Sequence, residues 1–152
     1  MNFQNVNVNV RKVNKNETEE VEIRCHEVND CVREIVSFVR SRQGQLTGTL
    51  EGGQYEIPLT DILYVESVDN RTFLYTAENT YEAKQKLYEL EDILRPRGFL
   101  RVSKSCILNL MRITHIKPAL NSRFTAVLTN GEEIIISRKY VADLKKTLKG
   151  EL

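Results

Sequence analysis

The 152-residue chain has no tryptophan, only three prolines and no long apolar run. The lack of a long apolar run is the most informative, because it argues against a membrane-spanning helix. Its longest apolar stretches, within LNLM and EIIIS, are far too short to span a bilayer, and the first residues lack the apolar core of a signal peptide. We therefore expect a cytoplasmic protein. An apolar fraction of 41% and a charged fraction of 28% are ordinary for globular chains, and the length is sufficient to bury a core.

Cysteine and histidine are also scarce, which argues against a disulfide framework, a metal centre or a catalytic triad. Cys25, Cys31 and Cys106 cannot all pair, so we interpret them as reduced thiols packed as small apolar side chains. A metal site built from Cys25, His26 and Cys31 would lack a fourth ligand and has no standard spacing. His115 has no suitably placed serine, cysteine or aspartate and is expected on a strand face. The chain is predicted to hold neither a metal nor a cofactor.

The net charge is only +1, but the charges are unevenly distributed. Residues 1–44 carry equal numbers of both signs, residues 45–100 are acidic, and residues 101–152 carry ten basic against four acidic side chains. A basic last third can present a positive surface to a polyanion while the protein stays soluble. The alternative is that these cations are simply solvated.

The first 44 residues read as a short extension rather than as a domain with its own core. Residues 21–25, VEIRC, alternate like a strand, and NDCVREIVSFVRSR follows as a helix with Asn29 or Asp30 as its N-cap. This strand-helix unit should end at Gly44. We expect it to serve dimerisation or contact with a regulatory partner.

From residue 45 to 152 the pattern predicts many short antiparallel strands with one or two packing helices. Gly52-Gly53 and Asn130-Gly131 separate apolar runs as hairpin turns do, and VDNRT is a further turn signal. TYEAK, residues 80–84, is compatible with a further strand. A leucine-rich helix should follow from near residue 84, with Ala83 also fitting its apolar spacing, and stop before Pro96. The predicted fold class is thus α+β, mostly β.

The segment FLRVSKSCILNL, residues 99–110, looks like a buried strand that carries a lysine in its middle. Alternation places Val102, Cys106 and Leu108 on one face, Asn109 on the polar face, and Lys104 with the apolar set. Since an unpaired buried ammonium is very unfavourable, the strand should break at Ser-Lys-Ser and turn Lys104 outward. Serine hydroxyls bonding the local backbone would favour that break.

Two further clusters carry polar or cationic side chains at exposed positions. Arg138 and Lys139 directly follow Ser137, the predicted N-cap of the last helix, where cations oppose the helix dipole and a bound phosphate would reverse the sign. Asn70 and Arg71 lie in the VDNRT turn, and their side chains are the types best suited to adenine and guanine edges in a major groove.

With these three clusters in place, residues from about 45 to 149 resemble the LytTR family of bacterial DNA-binding domains. The resemblance rests on IPLTDILYVES, a loop, a leucine-rich helix, FLRVSKSCILNL and NGEEIIISRKYVADLKKTL, in that order. It implies a domain of short antiparallel sheets that reads double-stranded DNA through loops in successive major grooves, usually as two copies on direct repeats of a promoter. It thereby implies a homodimeric transcriptional regulator.

The resemblance also implies which residues contact DNA. The first loop contributes Asn70 and Arg71, with Thr72 as a further candidate. The other candidates are Ser103 and Lys104 in the Ser-Lys-Ser block, with Arg101 beside them, and Arg138 and Lys139 before the last helix. Ser103 stands where the family often has histidine, so a base contact made by that imidazole elsewhere is not expected here.

Many family members carry a receiver domain of more than a hundred residues, whereas only 44 residues precede this DNA-binding part. We therefore expect no phosphorelay control through an attached receiver. The extension is similar to the short leader of stand-alone members, and a membrane protein is one candidate for its regulatory partner.

Three other functions are weighed against DNA binding. An enzyme using Lys104 to activate Ser103 or Ser105 is disfavoured, because neighbours on an extended chain point apart and no oxyanion-hole signal accompanies them; no small-molecule substrate is expected. An RNA or single-stranded nucleic-acid-binding β module is the main alternative, since Tyr and Phe could stack on bases, but core packing explains those rings. A purely protein-binding module leaves the basic last third unexplained.

Overall fold

The structure, a computed structural model, describes residues 3–41 and 44–148 and is mostly β. Its helices are α1 (Asp30–Ser41), α2 (Leu87–Leu94) and α3 (Arg138–Leu148). Its strands are β1 (Gln45–Leu50), β2 (Gly53–Pro58), β3 (Ile62–Val68), β4 (Arg71–Thr76), β5 (Thr80–Ala83), β6 (Phe99–Ser103), β7 (Cys106–Asn109), β8 (Ile113–Pro118), β9 (Phe124–Leu128) and β10 (Glu133–Ile136). Within the described ranges, none of the helices has the length and apolar character needed to cross a membrane.

The strands form two antiparallel sheets, as the sequence predicts. The larger has seven strands in the order β2-β1-β5-β4-β3-β7-β6, and the smaller has three in the order β10-β9-β8. The hairpin signals are confirmed: Gly52 and Gly131 have φ angles of +80° and +90°, a left-handed geometry that glycine adopts without strain.

Two apolar cores lie on opposite faces of the larger sheet. The first packs that sheet against α2 through Leu87, Leu90 and Leu94. The second packs the other face against the smaller sheet and against Leu144 of α3. Strands β3, β7 and the edge strand β6 contribute side chains to both cores, so they are buried on both faces.

This double burial corrects the prediction that Asn109 lies on a polar face. Asn109 has no solvent exposure, since β7 is covered on both sides. Its Nδ2 donates to the Ile62 carbonyl oxygen at 2.8 Å and the Leu59 carbonyl oxygen at 3.4 Å, while its Oδ1 accepts from the Met111 amide at 3.1 Å. The buried amide is therefore satisfied and ties two loops together.

One predicted strand and one predicted helix start are also wrong. Residues 21–25 are not a strand in the structure, because no neighbouring strand takes up their backbone hydrogen bonds. Helix α2 begins at Leu87 rather than near 84, since Ala83 still pairs with Thr72 of β4. Helix α1 begins as predicted, with the Asn29 Oδ1 accepting from the Val32 amide at 3.2 Å. Residues 42 and 43, at its predicted end, lie outside the described residues.

Candidate nucleic-acid interface

The turn between β3 and β4 is a tight two-residue connection. Asp69 and Asn70 have φ angles of 51° and 62°, and Val68 pairs with Arg71 across the turn. Asp and Asn tolerate this left-handed geometry better than other non-glycine residues, which explains their presence here. The Asn70 side chain is exposed at the tip, and Arg71 is exposed on the first residue of β4.

Glu82 of β5 holds the Arg71 guanidinium in a bidentate ion pair. The Arg71 Nη2 lies 2.5 Å from Glu82 Oε1, and the Arg71 Nε lies 3.1 Å from Glu82 Oε2. This hydrogen bonding raises the pKa of Arg71 and lowers the pKa of Glu82 from their ordinary values. The Arg71 side chain stays 61% exposed, so it is oriented without being covered.

Thr72 is the one residue of this loop that the structure places inside the sheet. It is only 3% exposed and lies between Ser67 of β3 and Ala83 of β5. Contact between its side chain and DNA stays a prediction, and its position in this conformation does not favour it.

The strand break at Ser-Lys-Ser is confirmed. β6 and β7 form a hairpin in which Ser103 pairs with Cys106, and Lys104 is exposed in the turn. The Ser103 hydroxyl accepts a hydrogen bond from the Ser105 amide at 3.2 Å, which is the local bonding that the sequence suggests. A shift in strand register between Arg101 and Ser103 leaves Val102 buried while the turn projects outward.

Arg101 lies beside this turn but points back into the protein. Its Nε donates to the Ser103 carbonyl at 2.7 Å, its Nη2 donates to the Lys104 carbonyl, and its Nη1 lies 2.9 Å from Glu91 Oε1. The side chain is only 16% exposed. Arg101 therefore braces the turn that presents Lys104, and its own contact with DNA stays a prediction.

The third predicted cluster lies at the first turn of α3, which begins at Arg138 as expected. Arg138 and Lys139 are both exposed, and the Lys139 Nζ lies 5.6 Å from the centre of the Tyr140 ring. The Ser137 carbonyl accepts from the Tyr140 amide at 2.8 Å and so begins the helix. Further along α3, Leu144 is buried, whereas Leu148 is 44% exposed.

Two backbone hydrogen bonds bring the three clusters together. The Ser67 amide, just before the first turn, donates to the Ser105 carbonyl at 2.8 Å. The Ser137 amide, just before α3, donates to the Val102 carbonyl at 2.9 Å. The two bonds therefore place the three clusters next to one another, and we call their exposed side chains the loop face. It comprises Asn70, Arg71, Lys104, Arg138 and Lys139.

Sequence reasoning missed two cations that border this face. Lys84 and Lys86, between β5 and α2, line a cleft of about 380 Å³ together with Asn70 and Arg71. The Lys86 Nζ donates to the Asn70 carbonyl at 3.2 Å. Both lysines are exposed. The Lys-Gln-Lys run could have indicated them, but the helix start predicted near residue 84 assigned this run to a helix.

The thiols and His115 lie elsewhere. Cys106 is buried as predicted, and burial raises its pKa to about 12, whereas Cys25 is exposed and so is not packed as an apolar side chain. His115 lies exposed on β8, as expected for a strand face. Within residues 3–41 and 44–148, no group of three or more His, Cys, Asp or Glu side chains is arranged to hold a metal ion.

Comparison with known proteins identifies the family of this domain. The model of the LytTr DNA-binding domain matches residues 52–149, well over half of the chain. The chain belongs to the LytTR family. All three clusters of the loop face lie inside the matched LytTR region, and the antiparallel, mostly β architecture is that of the family.

Individual LytTR proteins resemble the chain to different extents. A solved LytTr DNA-binding domain from Bacillus cereus superposes with a TM-score of 0.67 at 29% identity, covering 71% of this chain and 99% of that one. An uncharacterized HTH-type transcriptional regulator of Staphylococcus aureus N315 is 28% identical over 139 residues, covering 90% of this chain and 94% of its own length. The sensory transduction protein LytT of Bacillus anthracis is 36% identical over 93 residues, and the chain spans 61% of itself but only 38% of that relative.

Proposed function

We propose that this protein is a transcriptional regulator that binds double-stranded DNA with sequence specificity, through the loop face, in the major groove. The observation that carries the proposal is the pair of backbone hydrogen bonds that unites the turn at Asn70, the turn at Lys104 and the start of α3. The regulator name of the Staphylococcus aureus relative, which matches along most of this chain, supports the same function.

The residues of the loop face divide by chemistry. Within the described residues, Lys104 and Lys139 have no acidic side chain at ion-pair distance, and we assign these point charges, with Arg138, to DNA phosphates. Asn70 and Arg71 sit on a narrow hairpin tip that the major groove, about 12 Å wide, can admit. Because Glu82 orients the Arg71 guanidinium, this side chain approaches a guanine edge with less freedom to lose.

At the level of the whole protein, we propose a cytoplasmic homodimer that reads direct repeats of a promoter. Two linked copies bind two half-sites more tightly than either binds one, since the second contact becomes intramolecular. We assign the protein no catalytic activity. Control by a regulatory membrane protein through residues 1–44 stays a prediction.

The phosphate assignment is tested by titrating promoter duplexes near the protein's own gene over a salt series. Lys104→Ala and Lys139→Ala should each weaken binding and lower the magnitude of the log-log salt slope by about one, the effect of one lost phosphate contact. Arg95→Ala is the control, because Arg95 is an exposed cation that precedes β6, is not part of the loop face and pairs with Asp143 at 3.4 Å. If affinity and slope are unchanged in both lysine variants, the loop face is not the DNA-binding surface.

The base-reading assignment needs a comparison of cognate and random duplexes. Asn70→Ala and Arg71→Ala should each lose roughly ten- to hundredfold in affinity on the cognate site and little on random DNA. An equal loss on both would reassign this turn to phosphate positioning.

The RNA or single-strand alternative predicts exposed aromatic rings on the binding surface. Such modules stack bases on exposed aromatic rings, whereas Tyr64 is buried and Tyr75 and Phe124 pack against the second core. Tyr55 and Tyr88 are exposed but are not part of the loop face. Single-stranded competitors of the same sequence should therefore displace the duplex poorly. Equal or better competition by single strands or by RNA would favour the alternative.

A further inference from the structure

Residues 5–10 and 21–25 alternate between polar and apolar side chains, yet belong to neither core. The segment NVNVNV, residues 5–10, places a valine at every second position, and VEIRC continues the pattern at residues 21–25. Val8, Val10 and Val21 are 86%, 92% and 67% exposed. Alternation with one apolar face is the pattern of a strand that is covered on one side.

A turn already joins the two limbs of this segment. The Glu17 amide donates to the Asn14 carbonyl at 3.0 Å, which closes a β-turn over Lys15 and Asn16, and the Asn14 Nδ2 donates to Glu17 Oε1 at 3.4 Å. Beyond the turn, the limbs line an open cleft of about 1090 Å³ instead of pairing. The segment therefore has a β-turn between its two limbs but no strand ladder, and closing a hairpin there requires Lys15 and Asn16 to change backbone conformation, since neither has a positive φ.

Continuing the pairing outward from Asn14 and Glu17 gives a chemically consistent register. Arg11 would lie opposite Glu20, and Lys12 opposite Glu19, so opposite charges pair directly. Further out, Val10 would lie opposite Val21, Val8 opposite Ile23, and Val6 opposite Cys25. Valines and isoleucine then share one face, which is the arrangement that a real hairpin requires.

We propose that residues 5–25 close into a β-hairpin that pairs, through residues 5–11, with the same residues of a second copy of this chain. A lone two-stranded hairpin is marginal in water, and two copies would supply a four-stranded antiparallel sheet. Because residues 5–25 hold four basic and four acidic side chains, two copies do not repel one another by net charge. This dimer contact deepens the proposed function. It rests on that function only in assuming that the protein is a homodimer.

The first limb is self-complementary about Val8, whereas the second is not. In an antiparallel pair centred on Val8, Val6 faces Val10, Asn7 faces Asn9, and Asn5 faces Arg11 of the other copy, with no like charges opposed. The second limb would instead bring Glu19, Glu20 and Glu22 of both copies close together, which is unfavourable. Residues 5–11 are therefore the seam, and residues 18–25 are the outer strands.

Oligomeric state is the first test, measured by sedimentation of the full chain. The parent should be a dimer, and Val8→Lys, which puts two ammonium groups face to face at the seam, should raise the dissociation constant more than about tenfold. Val13→Lys is the matched control, because Val13 lies beyond the seam near the turn and is 38% exposed. The unfolding midpoint of the domain should stay unchanged in both, since neither core includes these valines, whereas Val8→Lys alone should lose the far-ultraviolet strand signal of residues 5–25.

Cross-linking tests the register. In a Cys25→Ser, Cys31→Ala background, Val8→Cys should form an intermolecular disulfide under mild oxidation, because Val8 faces its own copy on the two-fold axis. Val21→Cys should not form this disulfide, since the two outer strands lie at opposite edges of the four-stranded sheet. A monomeric parent, an unchanged dimer in Val8→Lys, or equal cross-linking at both positions would each overturn the proposal.

DNA binding is scored separately, on a duplex that holds one half-site. Val8→Lys should keep the parent's affinity there and lose the advantage of a second repeat. Failure of the parent to bind duplex DNA would refute the proposed function while leaving the dimer surface intact. A variant that dissociates yet keeps full two-site cooperativity would refute the surface as the source of cooperative binding.

Discussion

Replacing Arg101 with methionine tests whether this side chain braces the Lys104 turn or contacts DNA. The change keeps most of the aliphatic stem but removes the bonds to the Ser103 and Lys104 carbonyls and the ion pair with Glu91. Hydrogen bonds to a charged group contribute about 1.5–3 kcal/mol each, but water can replace the guanidinium at this partly exposed turn. We therefore expect the free energy of unfolding to fall by about 2 kcal/mol in total.

That loss is large enough to measure in two ways. For a chain of this size it should lower the thermal midpoint by about 4–8 °C, and urea unfolding should show a lower midpoint with an unchanged slope. A double-mutant cycle with Glu91→Gln should show that the two changes are not additive, because the two side chains interact directly.

DNA binding distinguishes the brace from a contact. At a temperature where the variant is folded, Arg101→Met should weaken binding with little change in the salt slope, whereas Lys104→Ala should lower that slope by about one. Stability within about 0.5 kcal/mol of the parent, together with a slope reduced by about one, would contradict the bracing role and make Arg101 a phosphate contact.

Three further predictions concern the rest of the domain. Glu82→Gln should raise affinity for random duplexes and reduce discrimination between cognate and random sites, because Arg71 loses its bidentate partner; an unchanged ratio of the two affinities would show that Glu82 does not orient Arg71. Leu90→Ala should lower the free energy of unfolding by about 2–5 kcal/mol in denaturant titration, since the Leu90 side chain is fully buried in the first core. A loss below about 1 kcal/mol would show that neighbouring side chains move in to fill the cavity. Cys106 should resist thiol reagents at pH 8 while Cys25 reacts, and stability should fall as pH rises above about 8.5, because the folded pKa of Cys106 is about 12 and the unfolded thiol ionises first.

Local chemistry explains why the turns were predictable. Asp69 and Asn70, and likewise Gly52 and Gly131, occupy left-handed backbone geometry that these residue types tolerate. The outward turn at Lys104 followed from the unfavourable burial of a lone ammonium. Each of these inferences needs only a few neighbouring residues, so no tertiary information was required.

The wrong predictions share a different cause. Alternation assigns each strand one buried and one exposed face, but β7 is covered on both faces, so Asn109 became a buried amide. Ala83 fits a helical spacing, yet pairing with Thr72 keeps it in β5. Residues 21–25 have a strand pattern but no partner strand in the single chain. In all three cases a distant segment decided the outcome.

By itself, the sequence determined the antiparallel architecture, the hairpin turns and the three polar clusters, because turn geometry and alternation are local properties of the chain. Only the tertiary structure decided that Arg101 braces a turn, that Glu82 orients Arg71, and that Thr72 is buried. Those roles depend on side chains that are 10 to 11 residues apart and on strands packed on both faces. Sequence spacing does not encode such contacts, since the fold alone sets which distant groups come within hydrogen-bonding distance.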